Sequence, residues 1–426
     1  MRRSKEPEVL VVGAGPVGQL AALELAERGI AVEIVEEEWR SAGHSYALAL
    51  HSEAQRLLAE LGLQEDVGAN ALQVPRLALY EGVDRRAEVE LGAAGDPPYL
   101  AVISQHALER ILEDALEERG VNVRWNHRLS RFLQEDDQVR AVVDKLTKES
   151  VGYAVSGTEW LVSKSKERPV AFVVGADGHH SLVRRQIGIP FEEVAPAQHF
   201  SVFELTTDAD VGNEMRIAFG PAGTTIYWPL PERRCRFSFE SAEPVSPATS
   251  RRKDRLVFQF RGRGYPALEL EQLHELLAER APWFDGTVEN VHWSTVVRFE
   301  RRIAGRFGQG RIWLVGDAGH MAGPAGIQSM NVGLREAHEL AITLHRILGG
   351  DGSMDELEAY GHERLAEWRR LQGISGRLVP TNDTDPWVRD HCESLLSCLP
   401  ASGEGLIALA QSLGLRYEPI PVAPHV

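Results

Sequence analysis

The sequence predicts an α/β fold: a parallel-sheet domain of the doubly wound kind, interrupted by a β-rich insertion and closed by a short helical segment at the C-terminus. Three observations predict it. A βαβ unit of about thirty residues opens the chain. Apolar strand-like runs that end in a glycine turn recur at Gly175 and Gly316. Between those two turns, residues 191–296 read mainly as strands and turns.

Each element follows from its local pattern. Glu8 to Val12 is a short apolar run, as a parallel strand buried on both faces requires. Gln19 to Arg28 is rich in Ala, Leu and Glu and is stopped by Gly29, so it reads as a helix. Ala31 to Val35 is the second strand. Ser52 to Leu61 and Gln105 to Arg119 have helical periodicity, and Gly120 ends the latter. Residues 73–100 read as strands and turns, with Gly92, Gly95 and Pro97-Pro98 as breakers. Residues 139–174 read as a β-meander whose last strand is Pro169 to Val174. In the insertion, strands are expected at Phe200 to Leu205, Met215 to Phe219, Thr224 to Trp228 and Cys235 to Phe239. Cys235, Phe237 and Phe239 alternate with Arg236, Ser238 and Glu240, so one face of that strand is buried. Leu268 to Arg280 reads as a helix, Ile312 to Val315 as a strand and Met330 to Leu348 as a long helix. Helical patches follow at 387–398 and 403–413.

A chain of 426 residues suggests two to three domains at about 150 residues each. The expected partition is a main domain in three parts, 1–72, 101–190 and 297–377. A β-rich excursion spans 73–100, a β-sheet domain 191–296 and a C-terminal segment 378–426. The net charge of −16 argues against a nucleic-acid or anionic-membrane partner, which would call for a basic face. Cys235, Cys392 and Cys398 form no CxxC pair and no metal-ligand cluster with histidines, so neither a redox disulfide nor a metal site is expected. With no secretory h-region and no apolar run of about 18 residues, a soluble cytoplasmic protein without a membrane span is expected.

Gly13-Ala14-Gly15-Pro16-Val17-Gly18 matches GxGxxG between a strand and a helix, the setting in which that motif carries meaning. The glycines allow a tight turn, close approach to a pyrophosphate, and close helix–strand packing. The helix N-terminus offers free N–H groups to phosphates. Glu36 follows Gly18 by 18 residues, near the usual distance for a carboxylate that binds a ribose diol. The chain therefore binds a dinucleotide. Two more aspartate-bearing turns follow apolar strands: Gly175-Ala176-Asp177-Gly178, with Ser181, Val183 and Arg184, and Gly316-Asp317-Ala318-Gly319-His320, with Pro324-Ala325-Gly326, Met330-Asn331 and Gly333.

In order and separation these segments resemble the class A flavoprotein monooxygenases typified by para-hydroxybenzoate hydroxylase, over roughly residues 8–375. The resemblance implies a Rossmann-like FAD-binding domain with an inserted β-sheet substrate domain. Gly13, Gly15 and Gly18, with Pro16 and Val17 at the helix start, would face the FAD pyrophosphate, and Glu36 the adenosine ribose. Gln105 would contact the flavin's linker. Asp177 would structure the pyrophosphate and nicotinamide side, and Asp317 would bind the ribityl chain. Pro324 would sit over the ring near carbon 4a, followed by Gly326. Met330 and Asn331 would begin the helix aimed at the pyrimidine edge, where its N-terminus stabilises a reduced, anionic flavin by about 1 kcal/mol.

The sequence departs from that family in places. Ile327 and Ser329 stand where the family carries glycines, putting side chains where backbone would approach the flavin. Gly43-His44-Ser45-Tyr46-Ala47 supplies no recognisable flavin-contacting arginine. No second GxGxxG lies between a strand and a helix, so NADPH or NADH would act as a transient reductant without its own domain. The resemblance then implies O2 activation as a flavin hydroperoxide and hydroxylation or epoxidation of an aromatic or polycyclic small molecule. The protein would act as a monomer or homodimer.

No catalytic residue stands out. Pro324, Tyr227 and His199 are candidates; Phe203 and Trp228 are candidate pocket aromatics, and Arg216 a candidate substrate contact. A general base could be His44, His51, His199 or Tyr227, whereas His179, His180 and His320 on glycine turns read as capping or packing residues. A reductase of the same fold, transferring hydride without oxygen insertion, is the alternative, and a non-catalytic flavin-binding protein a further one. The segment Tyr227-Trp228-Pro229-Leu230-Pro231 lacks the halogenase WxWxIP signature.

Overall fold

The structure is a computed structural model that describes residues 6–39, 49–151, 157–209, 212–241, 257–260, 263–266 and 268–420. Its organising layer is a five-stranded sheet in the order Gly308–Gln309, Ile312–Leu314, Phe172–Gly175, Val9–Val12, Val32–Val35. The last four of these run parallel, with Val9 opposite both Phe172 and Val32. Every residue of Val9–Val12 is buried, yet its side chains still alternate between two faces. Val9 and Val11 join the apolar cluster under the helices Pro16–Glu27, Gln105–Glu118 and Gln328–Gly349. Leu10 and Val12 join the cluster under the antiparallel strands His127–Gln134, Val139–Val151 and Gly157–Val170.

Helix ends follow local chemistry. Gly15 precedes Pro16 at the first helical position, where a missing N–H costs nothing. Ser104 caps Gln105–Glu118 by accepting from Ala107 N–H. Ser353 and Glu356 form a capping box on Met354–Leu371.

An eight-stranded sheet forms the second layer. Its order is His320–Met321, Val288–Ala304, Phe191–Thr207, Arg234–Ser241, Thr225–Leu230, Glu214–Phe219, Arg76–Glu81, Asp84–Glu90. The excursion near residue 80 therefore joins the inserted sheet, through a parallel pairing of Arg76–Glu81 with Glu214–Phe219. One face of this sheet packs toward the loop 325–327 and the C-terminal segment. The other is covered by the helix Leu270–Arg280.

Three expectations change. Pro169 to Val174 is not one strand: the meander strand ends at Val170, Ala171 N–H bonds to Glu8 O, and Phe172–Gly175 enters the parallel sheet. The insertion does not stop at 296, because Val288–Ala304 pairs along the whole of Phe191–Thr207, to Ala304 opposite Phe191. The C-terminal segment is not only helical: Gly376–Pro380 and Leu415–Pro419 pair across the helices Pro386–Leu395 and Gly403–Ser412. Among the described residues, no helix is long and apolar enough to cross a membrane, and no group of three or more His, Cys, Asp or Glu is placed to hold a metal.

Candidate active site

The three glycine turns meet at the C-terminal ends of the parallel strands Val9–Val12, Phe172–Gly175 and Ile312–Leu314. Gly13 has φ +103°, and a Cβ there would lie 2.2 Å from Ala176 O of the second turn. A Cβ on Gly18 would lie 2.0 Å from Gly13 O. Val17 fills the space beside the third turn: Cβ atoms on Gly316 and Gly333 would approach it to 3.2 and 2.9 Å. Gly15 differs, since nothing lies within 4 Å of its would-be Cβ. The structure thus divides the expected phosphate glycines. Gly13 and Gly18 hold the turns together, and only Gly15 borders open space. Glu36 stands at the same mouth, where its carboxylate accepts from Ala14 N–H at 2.9 Å and Glu38 N–H at 3.0 Å.

The two aspartates have different settings. Asp177 is half-buried, and its Oδ2 accepts from Leu182 and Val183 N–H at 2.7 and 3.1 Å. Burial raises its pKa against the lowering effect of those bonds and of Ser181. Its Oδ1 is buried without a partner, an acceptor that lacks a donor. Asp317 instead lies exposed on the short turn Gly316–Ala318. Arg184 joins the two turns by donating to Ala318 O at 2.7 Å and His179 O at 2.9 Å. Burial lowers its pKa to about 10, so it stays cationic at neutral pH.

Glu336 is a site residue that sequence reasoning missed. It is fully buried; Oε2 accepts from Gly316 N–H and His320 Nε2, each at 2.9 Å, and Oε1 from Trp368 Nε1 at 2.8 Å. Burial pushes its pKa up, but His320 and these hydrogen bonds hold it below the ordinary value. Trp368 also stacks on His320 at 3.7 Å between ring centres. The available signal was a glutamate on the apolar stripe of a helix, between Gly333 and Leu340.

The loop from Pro324 to Ser329 is held on every side. Asn331 Oδ1 accepts from His51 N–H at 2.7 Å, while its Nδ2 donates to Ala49 O and Ile327 O, each at 2.9 Å. His51 Nε2 lies 2.9 Å from Gly326 O; a carbonyl only accepts, so this nitrogen carries the proton. Burial, together with Arg335, drives the His51 pKa down to about 4 despite that bond. Ser329 Oγ accepts from Ala322 N–H at 2.9 Å. The C-terminal segment closes the far side, where Gly326 N–H donates to Ser397 O at 3.0 Å. Ile327 has φ 47° and ψ 39°, a left-handed conformation that costs a non-glycine residue about 1–2 kcal/mol. The long helix starts at Gln328, two residues before Met330, which packs half-buried against the helical core. Gln105 sits half-buried at the start of its helix and donates to Glu109 at 2.8 Å. Residues 43–47, including His44, lie outside the described residues.

Between this loop and the inserted sheet is a cavity of about 20 Å³, room for about one water. Pro324 and Ile327 form its loop side; Val202, Ile226, Trp228 and Phe299 form most of its sheet side. Arg236 and Ser238 supply its polar edge. Arg236 is buried and bonded to Glu204 at 2.8 Å. Other expected pocket residues face away. Tyr227 and Phe203 belong to the outer cluster under Leu270–Arg280, because their neighbours Trp228 and Val202 take the cavity face and strand side chains alternate. Burial raises the Tyr227 pKa far above that of a free phenol. His199 shares the Phe203 face by the same alternation, and Arg216 lies 4.7 Å over the Trp283 ring.

Comparison with known proteins fits this geometry. The family model described as "FAD binding domain" matches residues 6–372. The 6-methylpretetramide 4-monooxygenase of Streptomyces rimosus is 26% identical over 89% of this chain and 61% of its own length. The pentachlorophenol 4-monooxygenase of Sphingobium chlorophenolicum is 26% identical over 87% of this chain and 64% of its own. The chain thus spans under two thirds of the length of these relatives. The crystal structure of p-nitrophenol 4-monooxygenase from Pseudomonas putida superposes with a TM-score of 0.71 at 20% identity, covering 96% of both chains.

Gly18→Ala should destabilise the protein by about 3 kcal/mol or more in chemical unfolding. Gly15→Ala should shift stability by less than about 1 kcal/mol and weaken FAD binding by about tenfold or more, as measured by fluorescence titration. His51 is neutral when folded and gains a proton more readily when unfolded, since its pKa falls from 6.5 to about 4. Its contribution to stability is therefore lost as pH falls through that window, by up to about 3 kcal/mol. Urea unfolding across this pH range should show that slope in the native protein and much less of it in His51→Gln; equal slopes would contradict the assignment.

Proposed function

The chain belongs to the FAD-binding domain family, and from that premise we propose that it is a monooxygenase that uses NAD(P)H and O2 to hydroxylate or epoxidise an aromatic small molecule. The observation that carries the reading is the meeting of three aspartate- or glutamate-flanked glycine turns, with a largely apolar cavity between the loop that follows the third turn and the inserted sheet. Open space at Gly15, the unmatched buried acceptor on Asp177 and the exposed Asp317 suit a pyrophosphate and polyol. The relatives' names, all monooxygenases acting on ring compounds, favour oxygen insertion over hydride transfer alone.

On this reading, the backbone at Gly15 and the start of Pro16–Glu27 bind the pyrophosphate, and Glu36 the adenosine ribose. Asp177 receives a hydroxyl or ordered water, and Asp317 holds the ribityl chain. Pro324, Gly326, Met330 and Asn331 border the ring. When bound, FAD supplies the redox chemistry: it accepts hydride from NAD(P)H and, reduced, activates O2. The chain's own part is placement and exclusion of water. Val202, Ile226, Trp228 and Phe299 keep the sheet side dry, which protects oxygen transfer from hydrolysis. Arg236, anchored by Glu204, and Ser238 orient an oxygen substituent of the substrate. The free N–H groups at the start of Gln328–Gly349 favour negative charge at the ring edge.

Turnover with phenols under isotopically labelled dioxygen tests the reading. The product should carry one labelled oxygen atom, the other leaving as water, with NAD(P)H consumed in step. NAD(P)H oxidation coupled to an unlabelled, reduced product would contradict it in favour of hydride transfer. Arg236→Met should raise KM about tenfold or more, the loss of one charged hydrogen bond, with a smaller change in kcat.

A further inference from the structure

We propose that Ile327 is the specificity-determining residue that confines this site to single-ring aromatic substrates, a reading that rests on the monooxygenase function above. Its backbone is left-handed, at φ 47° and ψ 39°, a region that glycine favours and a β-branched side chain rarely adopts. Such strain persists only where surrounding structure imposes it. Here the imposing contacts are explicit. The Ile327 carbonyl is held by Asn331 Nδ2 at 2.9 Å. The preceding Gly326 is fixed on one side by Ser397 O and on the other by His51 Nε2. The side chain is 8% exposed and does not turn back to solvent; it stands in the cavity wall beside Pro324, opposite Trp228 and Phe299.

The wall has no slack behind it. A Cβ on Gly326 would meet Ser397 O and Leu399 O at 2.9 Å, and Ile327 belongs to the same apolar cluster as Leu395 and Leu399. The C-terminal segment thus blocks the direction in which the loop would retreat. With a cavity of about 20 Å³, even one ring requires side chains to shift, and Ile327, fixed in place, is one of the walls that limits how far the space can open for a second. Arg236 and Ser238 line the same cavity and supply its polar groups, so a substrate oxygen held by them brings its ring into the space that Ile327 borders.

Binding of phenol and 1-naphthol to the FAD-loaded protein, followed by perturbation of the flavin absorbance, tests this. The native protein should bind phenol and discriminate against 1-naphthol. In Ile327→Gly the ratio of the two Kd values should move by at least tenfold toward 1-naphthol, and in Ile327→Ala by a smaller factor in the same direction. Thermal unfolding without ligand gives an independent readout: Ile327→Gly, relieved of the left-handed strain, should melt no lower than Ile327→Ala. If Ile327 is only a core filler, both variants lose stability and the Kd ratio stays at the native value, which overturns the proposal. A native protein that binds both ligands equally well also overturns it. Failure of the native protein to bind any phenol would overturn the aromatic-substrate reading along with it.

Discussion

A side chain at Gly18 would drive its Cβ to 2.0 Å from Gly13 O, and one at Gly13 would reach 2.2 Å from Ala176 O. These two close approaches let the first helix sit down on its strand and let the second turn pack under the first. Once they are made, Val17 is left between Gly316 and Gly333, and the third turn has a fixed place too. Residues separated by more than 300 positions in the chain thus border one space, and Gly15 faces that space because its neighbours have taken up the packing.

Charge then fixes what packing has assembled. Glu336 collects the Gly316 N–H, His320 and the Trp368 indole on one buried carboxylate. Uncompensated, such a carboxylate would cost several kcal/mol; with those donors it ties the third turn to the helices Gln328–Gly349 and Met354–Leu371. Arg184 does the same between the second and third turns, through backbone carbonyls. The aspartates at the rim are thereby positioned by groups that do not themselves face the open space.

Much of this was legible in the sequence, because local spacing encodes it. The glycine turns and the strand before the first depend on near neighbours, and the structure has them where the pattern put them; from Cys235 to Phe239 side chains alternate as the pattern implies, but both faces are covered, since Arg236 and Ser238 are buried too. What depended on distant partners was not legible. Tyr227 and Trp228 are adjacent aromatics on one strand, and which of them faces the cavity is decided by the helix Leu270–Arg280 covering the other face. His199 and Arg216 lie on that covered face for the same reason. The contact of Ser397 with Gly326 joins segments 71 residues apart and leaves no local trace. Ile327 and Ser329 were visible as departures from the family pattern. Their roles, a strained wall and a hydroxyl bonded to Ala322, needed coordinates.

On this reading the turns together build one FAD site, with the ADP half lying at the Gly15 turn. Equilibrium titration of flavin-free protein with FAD, repeated with ADP present, tests it most directly. Binding should saturate at one FAD per chain, with ADP competing for the site. Absence of saturable flavin binding, or binding that ADP leaves unchanged, would contradict it.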